Sequence, residues 1–159
     1  MFRVKFESKK KSSLKNKRDL ELFNSEALKA VTIKSGFPAE KVKKSIVERA
    51  VFNEFGTRNI PARPFVRVAS NKFKDKYSRM FAAIAKKSLR GKKLSSEMEK
   101  IGREQVKDIQ RTILSLRTPP LAAETIRRKK SRKLLIDTKQ MFFSASYVLT
   151  QGRKGKPKR

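Results

Sequence analysis

A Ser or Thr nucleophile needs a base to activate it, and the 159-residue chain has no His for that task. The same absence removes the commonest general base and the commonest metal ligand. With no Cys, neither a thiolate metal site nor a disulfide framework can form. The acids, from Glu7 to Asp137, are scattered, and most stand at expected helix starts or beside Lys and Arg, where simple pairing accounts for them. Asp137 could ligate Mg²⁺, but a cap or turn role suits it better. Neither GxxxxGK[ST] nor GxGxxG occurs, so no phosphate cradle is expected. The chain is therefore read as non-enzymatic, with no cofactor and no metal.

The chemistry that remains is charge. Lys and Arg number 43 against 14 Asp and Glu, a formal net charge of +29. Such self-repulsion is tolerable beside a polyanion or among partners of opposite sign, so nucleic acid, an anionic surface and acidic proteins are all candidates. Lys outweighs Arg, which favours diffuse charge compensation over bidentate base reading. The densest run is Arg127, Arg128, Lys129, Lys130, Arg132 and Lys133, a contact for DNA or an acidic partner or else a solvated surface. Phe52, Phe55, Phe65, Phe73, Tyr77 and Phe81 could stack on bases, but their regular spacing assigns them first to a core. The start MFRVKFESKK lacks the apolar run of a signal peptide, and nothing approaches the roughly 20 apolar residues of a membrane span. A soluble protein made in a cytoplasm, without a membrane partner, is expected.

The elements that must position these groups follow from periodicity. Phe2, Val4 and Phe6 alternate with charged residues as in a strand with one buried face, and residues 8–18 form a basic loop. Leu20 to Leu28 suggest a brief helix, and Val31 and Ile33 a second strand that stops at Gly36-Phe37-Pro38. SIVERAVFNEF, from Ser45, fits both a helical and a strand spacing, and its β-branched residues favour strand. Gly56 to Pro64 is a loop broken by Gly and two Pro. From Phe65 to about Gly91, apolar residues recur every three or four positions, which predicts a long amphipathic helix. A second helix is predicted from about Ser96, where Ser96 and Glu99 have the form of a capping box, to Arg117, before Thr118-Pro119-Pro120. Residues 121–133 are expected as a loop or a very short helix, and the alternation in MFFSASYVLT predicts a last strand. The fold expected is α+β: a small, mostly antiparallel sheet of about four strands, covered on one face by two long helices. Residues 1–150 form one domain and the basic tail 151–159 lies outside it, disordered unless an acidic group orders it.

Three segments carry a family resemblance when taken together: FNEFGTRNIPARPFVRVAS, RTILSLRTPPLAAETIRRKKS and LLIDTKQMFFSASYVL. They resemble the tail-completion, or neck, proteins of tailed bacteriophages, also described as minor tail or virion morphogenesis proteins, over roughly residues 30–150. The matching positions are Asn53, Glu54, Phe55, Gly56, Thr57, Ile60, Pro61, Arg63, Pro64, Phe65 and Arg67, then Leu135, Ile136, Asp137, Thr138, Gln140, Met141, Ser144 and Tyr147. Lys139 stands where the family usually has Gly, a residue that takes φ > 0 more cheaply.

The resemblance implies a structural subunit of a ring, commonly sixfold, located at the head-tail junction of the virion. It implies contacts with portal-adaptor proteins, with the tail terminator or tube, and with the DNA that passes through. Under that reading Glu54, Phe55, Gly56, Thr57, Ile60, Pro61, Arg63, Pro64 and Phe65 form the subunit interface. The competing reading, from charge alone, is a nucleic-acid-binding protein without sequence preference.

Overall fold

The computed structural model describes residues 31–88, 95–129 and 133–151. The strand expected at 2–6, the helix expected near 20–28 and residues 152–159 of the basic tail lie outside the described residues, while Gln151, expected in that tail, ends a strand. The class is α+β, as expected. The sheet is smaller than expected: among the described residues it has two strands, β1 (Val31–Gly36) and β2 (Ser146–Gln151), paired antiparallel with Ile33 opposite Leu149 and Ser35 opposite Tyr147. The two-residue side-chain period buries Ile33 and Ser35 on one face of β1.

The segment expected as a strand from Ser45 is instead helix α1 (Lys44–Phe55). Its buried residues are Ile46, Ala50 and Glu54, one per turn, so a packed helical stripe prevails over the β preference of its branched side chains. Helix α2 (Phe65–Ser88) has 24 residues, about 36 Å at the standard rise, and α3 (Ser95–Ser115) has 21, about 32 Å. Both confirm the expectation from periodicity. Helix α3 packs against both strands and against α2. Gly102 lets it approach closely, since a Cβ there would collide with the Tyr147 ring of β2.

Among the described residues of 121–133 there is a single short helix, α4 (Ala123–Arg128). The expected final strand divides: Gln140–Ser144 make one helical turn, α5, before β2 begins. Adjacent residues on a strand point to opposite faces, whereas Met141 and Phe142 both pack against the same core, which a helical turn permits. Gln110 of α3 donates to the Phe142 carbonyl at 3.1 Å and ties that turn to the long helix.

The core has two centres. Phe65, Ala69, Ile109, Ile113, Leu135 and Ile136 form one, and Ile33, Tyr77, Phe81, Ile84, Met98 and Ile101 the other. Between the long helices lies Asp108, fully buried, whose carboxylate accepts from Lys76 Nζ at 2.7 Å, Tyr77 OH at 2.9 Å and Arg111 Nη1 at 2.9 Å. A buried carboxylate is tolerated only when its oxygens are this fully occupied. Burial, then the hydrogen bond to Asp108, pushes the Tyr77 hydroxyl pKa up, so the phenol stays a donor. At the sheet, Ser35 Oγ donates to Gln105 at 2.6 Å, which pairs two further buried polar groups.

Candidate functional site

Helix α2 begins with amides that have no partner within their own helix. Glu54, from the last turn of α1 and only 6 % exposed, supplies one from outside: its carboxylate accepts from the Val66 amide at 2.8 Å and the Arg67 amide at 3.0 Å. A negative charge at a helix N-terminus is also favoured by the helix dipole. Arg67 completes the clasp, donating from Nε to the carboxylate at 3.2 Å and from Nη2 to the Glu54 carbonyl at 3.1 Å. The chain can turn between the two helices because Gly56 adopts φ 78°, where a Cβ would meet Ala62 N and Ile60 O at 2.9 Å. Thr57 shapes the loop tip: its amide donates to the Ile60 carbonyl at 2.8 Å and its hydroxyl accepts from the Ile60 amide at 3.1 Å.

Arg63 anchors the other end of this loop. It is 5 % exposed, and it donates from Nε to the Pro119 carbonyl at 3.2 Å and from Nη2 to the Pro120 carbonyl at 3.1 Å. Its own amide donates to the Asn53 carbonyl at 2.6 Å. The Pro119-Pro120 segment thus presents its carbonyls to a guanidinium, and desolvation lowers the Arg63 pKa. Among the described residues no carboxylate makes an ion pair with it.

The three segments that carry the resemblance meet here, around a cleft of about 620 Å³. The loop contributes Asn59, Ile60, Pro61 and Arg63, the proline-rich connection Pro120, Leu121 and Ala122, and the third segment Leu135, Asp137 and Met141. Among the described residues five cations line it, Arg49, Arg63, Arg128, Lys129 and Lys139, against one acid, Asp137. Lys129 is half-buried, with Nζ donating to the Lys133 carbonyl at 3.1 Å and the Leu134 carbonyl at 3.0 Å. Burial lowers its pKa, and the charge of Arg63 acts in the same direction against the opposing pull of Asp137. Lys139 holds φ 59°, ψ 0° at the start of α5, the left-handed geometry that a Gly would adopt more cheaply.

The residues expected at a subunit interface therefore separate. Glu54, Arg63 and Phe65 are buried within the chain, Phe65 completely, and their side chains serve the clasp, the proline anchor and the core. Gly56 and Pro64 are partly covered, while Phe55 at 63 % exposure, Ile60 at 37 %, Thr57 and Pro61 face outward. Glu54, Phe55 and Phe65 line a different, more apolar groove that also takes in Phe37, Val51 and Val66. Of the basic run, Arg127 and Arg128 are exposed at the end of α4 and Lys129 is pinned to carbonyls, with Arg128 and Lys129 on the cleft and Arg127 off it. Lys133 is exposed, whereas Lys130 and Arg132 lie outside the described residues.

Two cleft cations escaped the sequence reading. Arg49 lies on a helix that was expected as a strand, one turn before Asn53, and carries no signal of its own. Lys139 is marked in sequence only by standing where the resembling family has Gly. Among the described residues no group of three or more acidic side chains could hold a metal ion, and no helix is long and apolar enough to cross a membrane. No protein-family model, curated protein or solved structure matches the chain.

Proposed function

We propose that this protein is a structural subunit of a tailed-bacteriophage virion that forms a ring at the head-tail junction and joins the portal-adaptor complex to the tail. One observation supports this reading above the others. Residues 59–63 are far in sequence from 120–129 and 134–141, yet these stretches, drawn from the three segments of the resemblance, line one cleft that Arg63 ties to Pro119 and Pro120. The internal bonds of Glu54 and Arg63 stiffen the Gly56–Pro64 loop and leave Phe55, Ile60 and Pro61 outward, a preorganised contact for a neighbouring copy. Repeating a head-to-tail contact of that kind around an axis closes a ring, sixfold in this proposal. The protein acts here without catalysis or cofactor, and its surplus of cations is offset by acidic connector or terminator proteins and by the DNA in the channel.

The test is a phage genome carrying Phe55→Asp with Ile60→Asp. Both side chains are exposed, so the purified variant should unfold at the parent's denaturant midpoint. Loss of infectivity, with tailless heads and free tails by electron microscopy, is the expected result, and normal virions would reject the role. The +29 charge favours a second reading, non-sequence-specific binding of nucleic acid. Duplex binding by the free protein that collapses steeply with salt, with no ring in the particle, would decide for it.

A further inference from the structure

Two cations at the cleft are turned from water toward neutral carbonyls, and among the described residues neither makes an ion pair with a carboxylate. Arg63 is 5 % exposed and is met by the Pro119 and Pro120 carbonyls, and the half-buried ammonium of Lys129 is met by the carbonyls of Lys133 and Leu134. Neutral carbonyls satisfy the hydrogen bonds of a buried cation, but they leave its net charge uncompensated, which is costly in a low dielectric. Arg49, Arg128 and Lys139 add three more cations to the same walls, and among the described residues Asp137 is the single acid there. Lys139 takes its place on this rim in a left-handed conformation that an L residue keeps at an energetic cost, a kind of strain that clusters at binding sites.

We infer that this cleft is a docking site for an acidic peptide segment of a partner protein, with carboxylates set around an apolar anchor residue. The charge calls for an anion, and the shape narrows its class. Between the cations the walls are apolar, from Ile60, Pro61, Leu121, Leu134 and Met141, and a phosphate backbone has nothing to place against them. Among the described residues no aromatic side chain lines the cleft, so they offer no stacking platform of the kind on which single-stranded bases are held. A duplex is too wide to enter a cleft of about 620 Å³ and would meet the rim alone. A peptide supplies both chemistries at once: carboxylates for Arg128 and Lys139, and an aliphatic side chain for the apolar walls. The inference rests on the joining role for the source of that peptide, while the binding itself belongs to the free chain.

The full-length protein is titrated into a fluorescein-labelled peptide of Asp and Glu around a central Leu, and anisotropy is followed at fixed ionic strength. The parent should bind. Arg128→Gln with Lys139→Gln should weaken the affinity by about tenfold, the product of two partly desolvated ion pairs. Lys74→Gln with Arg79→Gln removes the same charge from exposed positions of α2 off the cleft and should stay within about twofold of the parent. Replacing the central Leu of the peptide by Ser should also weaken binding. Equal losses from both pairs of substitutions would overturn the proposal in favour of diffuse attraction. So would duplex DNA that displaces the peptide and depends equally on Arg128 and Lys139, since the cleft would then be a phosphate site. Ile60 also lines the cleft, so the virion test is repeated with Phe55→Asp alone, a side chain outside it; failure of these titrations leaves that phenotype unaffected, and the two proposals fail separately.

Discussion

Glu54 and Arg67 are joined twice, Nε to carboxylate at 3.2 Å and Nη2 to main-chain carbonyl at 3.1 Å, across the loop that separates α1 from α2. The same carboxylate holds the first amides of α2, so one side chain fixes the angle between two helices. Glu54→Ala should lower stability by about 2–3 kcal/mol, as a lost cap and a broken buried hydrogen-bonded pair combine. Glu54→Gln keeps the size but only one of the two acceptor oxygens, with its NH2 set against an N–H of α2 or Arg67, so it should lose a comparable amount. Urea unfolding with an unchanged m-value is the measurement, and an Ala variant as stable as the parent would remove the clasp from the account.

Gly56 makes that angle reachable. Its φ of 78° with ψ 174° is a region nearly reserved for glycine, and the atoms a Cβ would strike belong to the backbone, which cannot rotate away. Gly56→Ala is therefore expected to destabilise by about 2 kcal/mol or more. A midpoint equal to the parent's would mean that the loop adopts another path.

Acid should loosen the helical hairpin. Glu104 accepts from Lys76 Nζ at 2.8 Å and Lys107 Nζ at 3.0 Å, and these hydrogen bonds outweigh desolvation and hold its pKa down at about 2, against an ordinary value of 4.5. A carboxylate with a depressed folded pKa contributes stability above its unfolded value and loses it as pH falls through the folded one. The urea midpoint should thus decline between about pH 4.5 and pH 2, and Glu104→Gln should flatten that decline. For Lys76 the sign is reversed. Burial opposes its charge, but hydrogen bonds to Asp108 and Glu104 win and raise its pKa, so its contribution is complete below 10.5 and is lost at higher pH.

Lys139 offers a measure of stored backbone strain. A left-handed L residue costs roughly 1–2 kcal/mol, and a glycine's greater unfolded freedom cancels roughly 0.5–1 of that gain. Lys139→Gly should therefore be at least as stable as the parent, whereas Lys139→Val, β-branched at φ 59°, should lose about 1 kcal/mol or more. If Val were harmless and Gly destabilising, the turn before α5 would not be strained.

The long helices were legible because Phe65, Ala69, Tyr77 and Ile84, like Ile101, Ile109 and Ile113, repeat at helical spacing over many turns. The segment from Ser45 was not, because over a short stretch Ile46 and Ala50 satisfy both periods. What decides it is tertiary: Glu54 has to reach amides 12 and 13 residues further on. The motif block was legible as a unit, but the roles within it were not. Charged residues are mostly exposed, so Glu54 and Arg63 look like surface contacts until their partners are known, and those of Arg63 lie 56 and 57 residues away. The density of basic residues marks charge as important and singles out the run at 127–133. It could not show that Arg49 and Lys139, from two other parts of the chain, complete the cleft with Arg128.

The pairing of Val31 with Gln151 also governs the order of assembly. The α2–α3 hairpin is made of near neighbours and can form while synthesis is under way, but β1 must wait for a strand encoded more than a hundred residues later. Until Ser146 to Gln151 emerge from the ribosome, β1 has no hydrogen-bonding partner among the described residues, and Gly102 of α3 lacks the Tyr147 ring that covers it. A nascent chain arrested before that point is an incomplete, sticky intermediate. Closure of the sheet then brings together the two ends of the described chain and covers that face of α3.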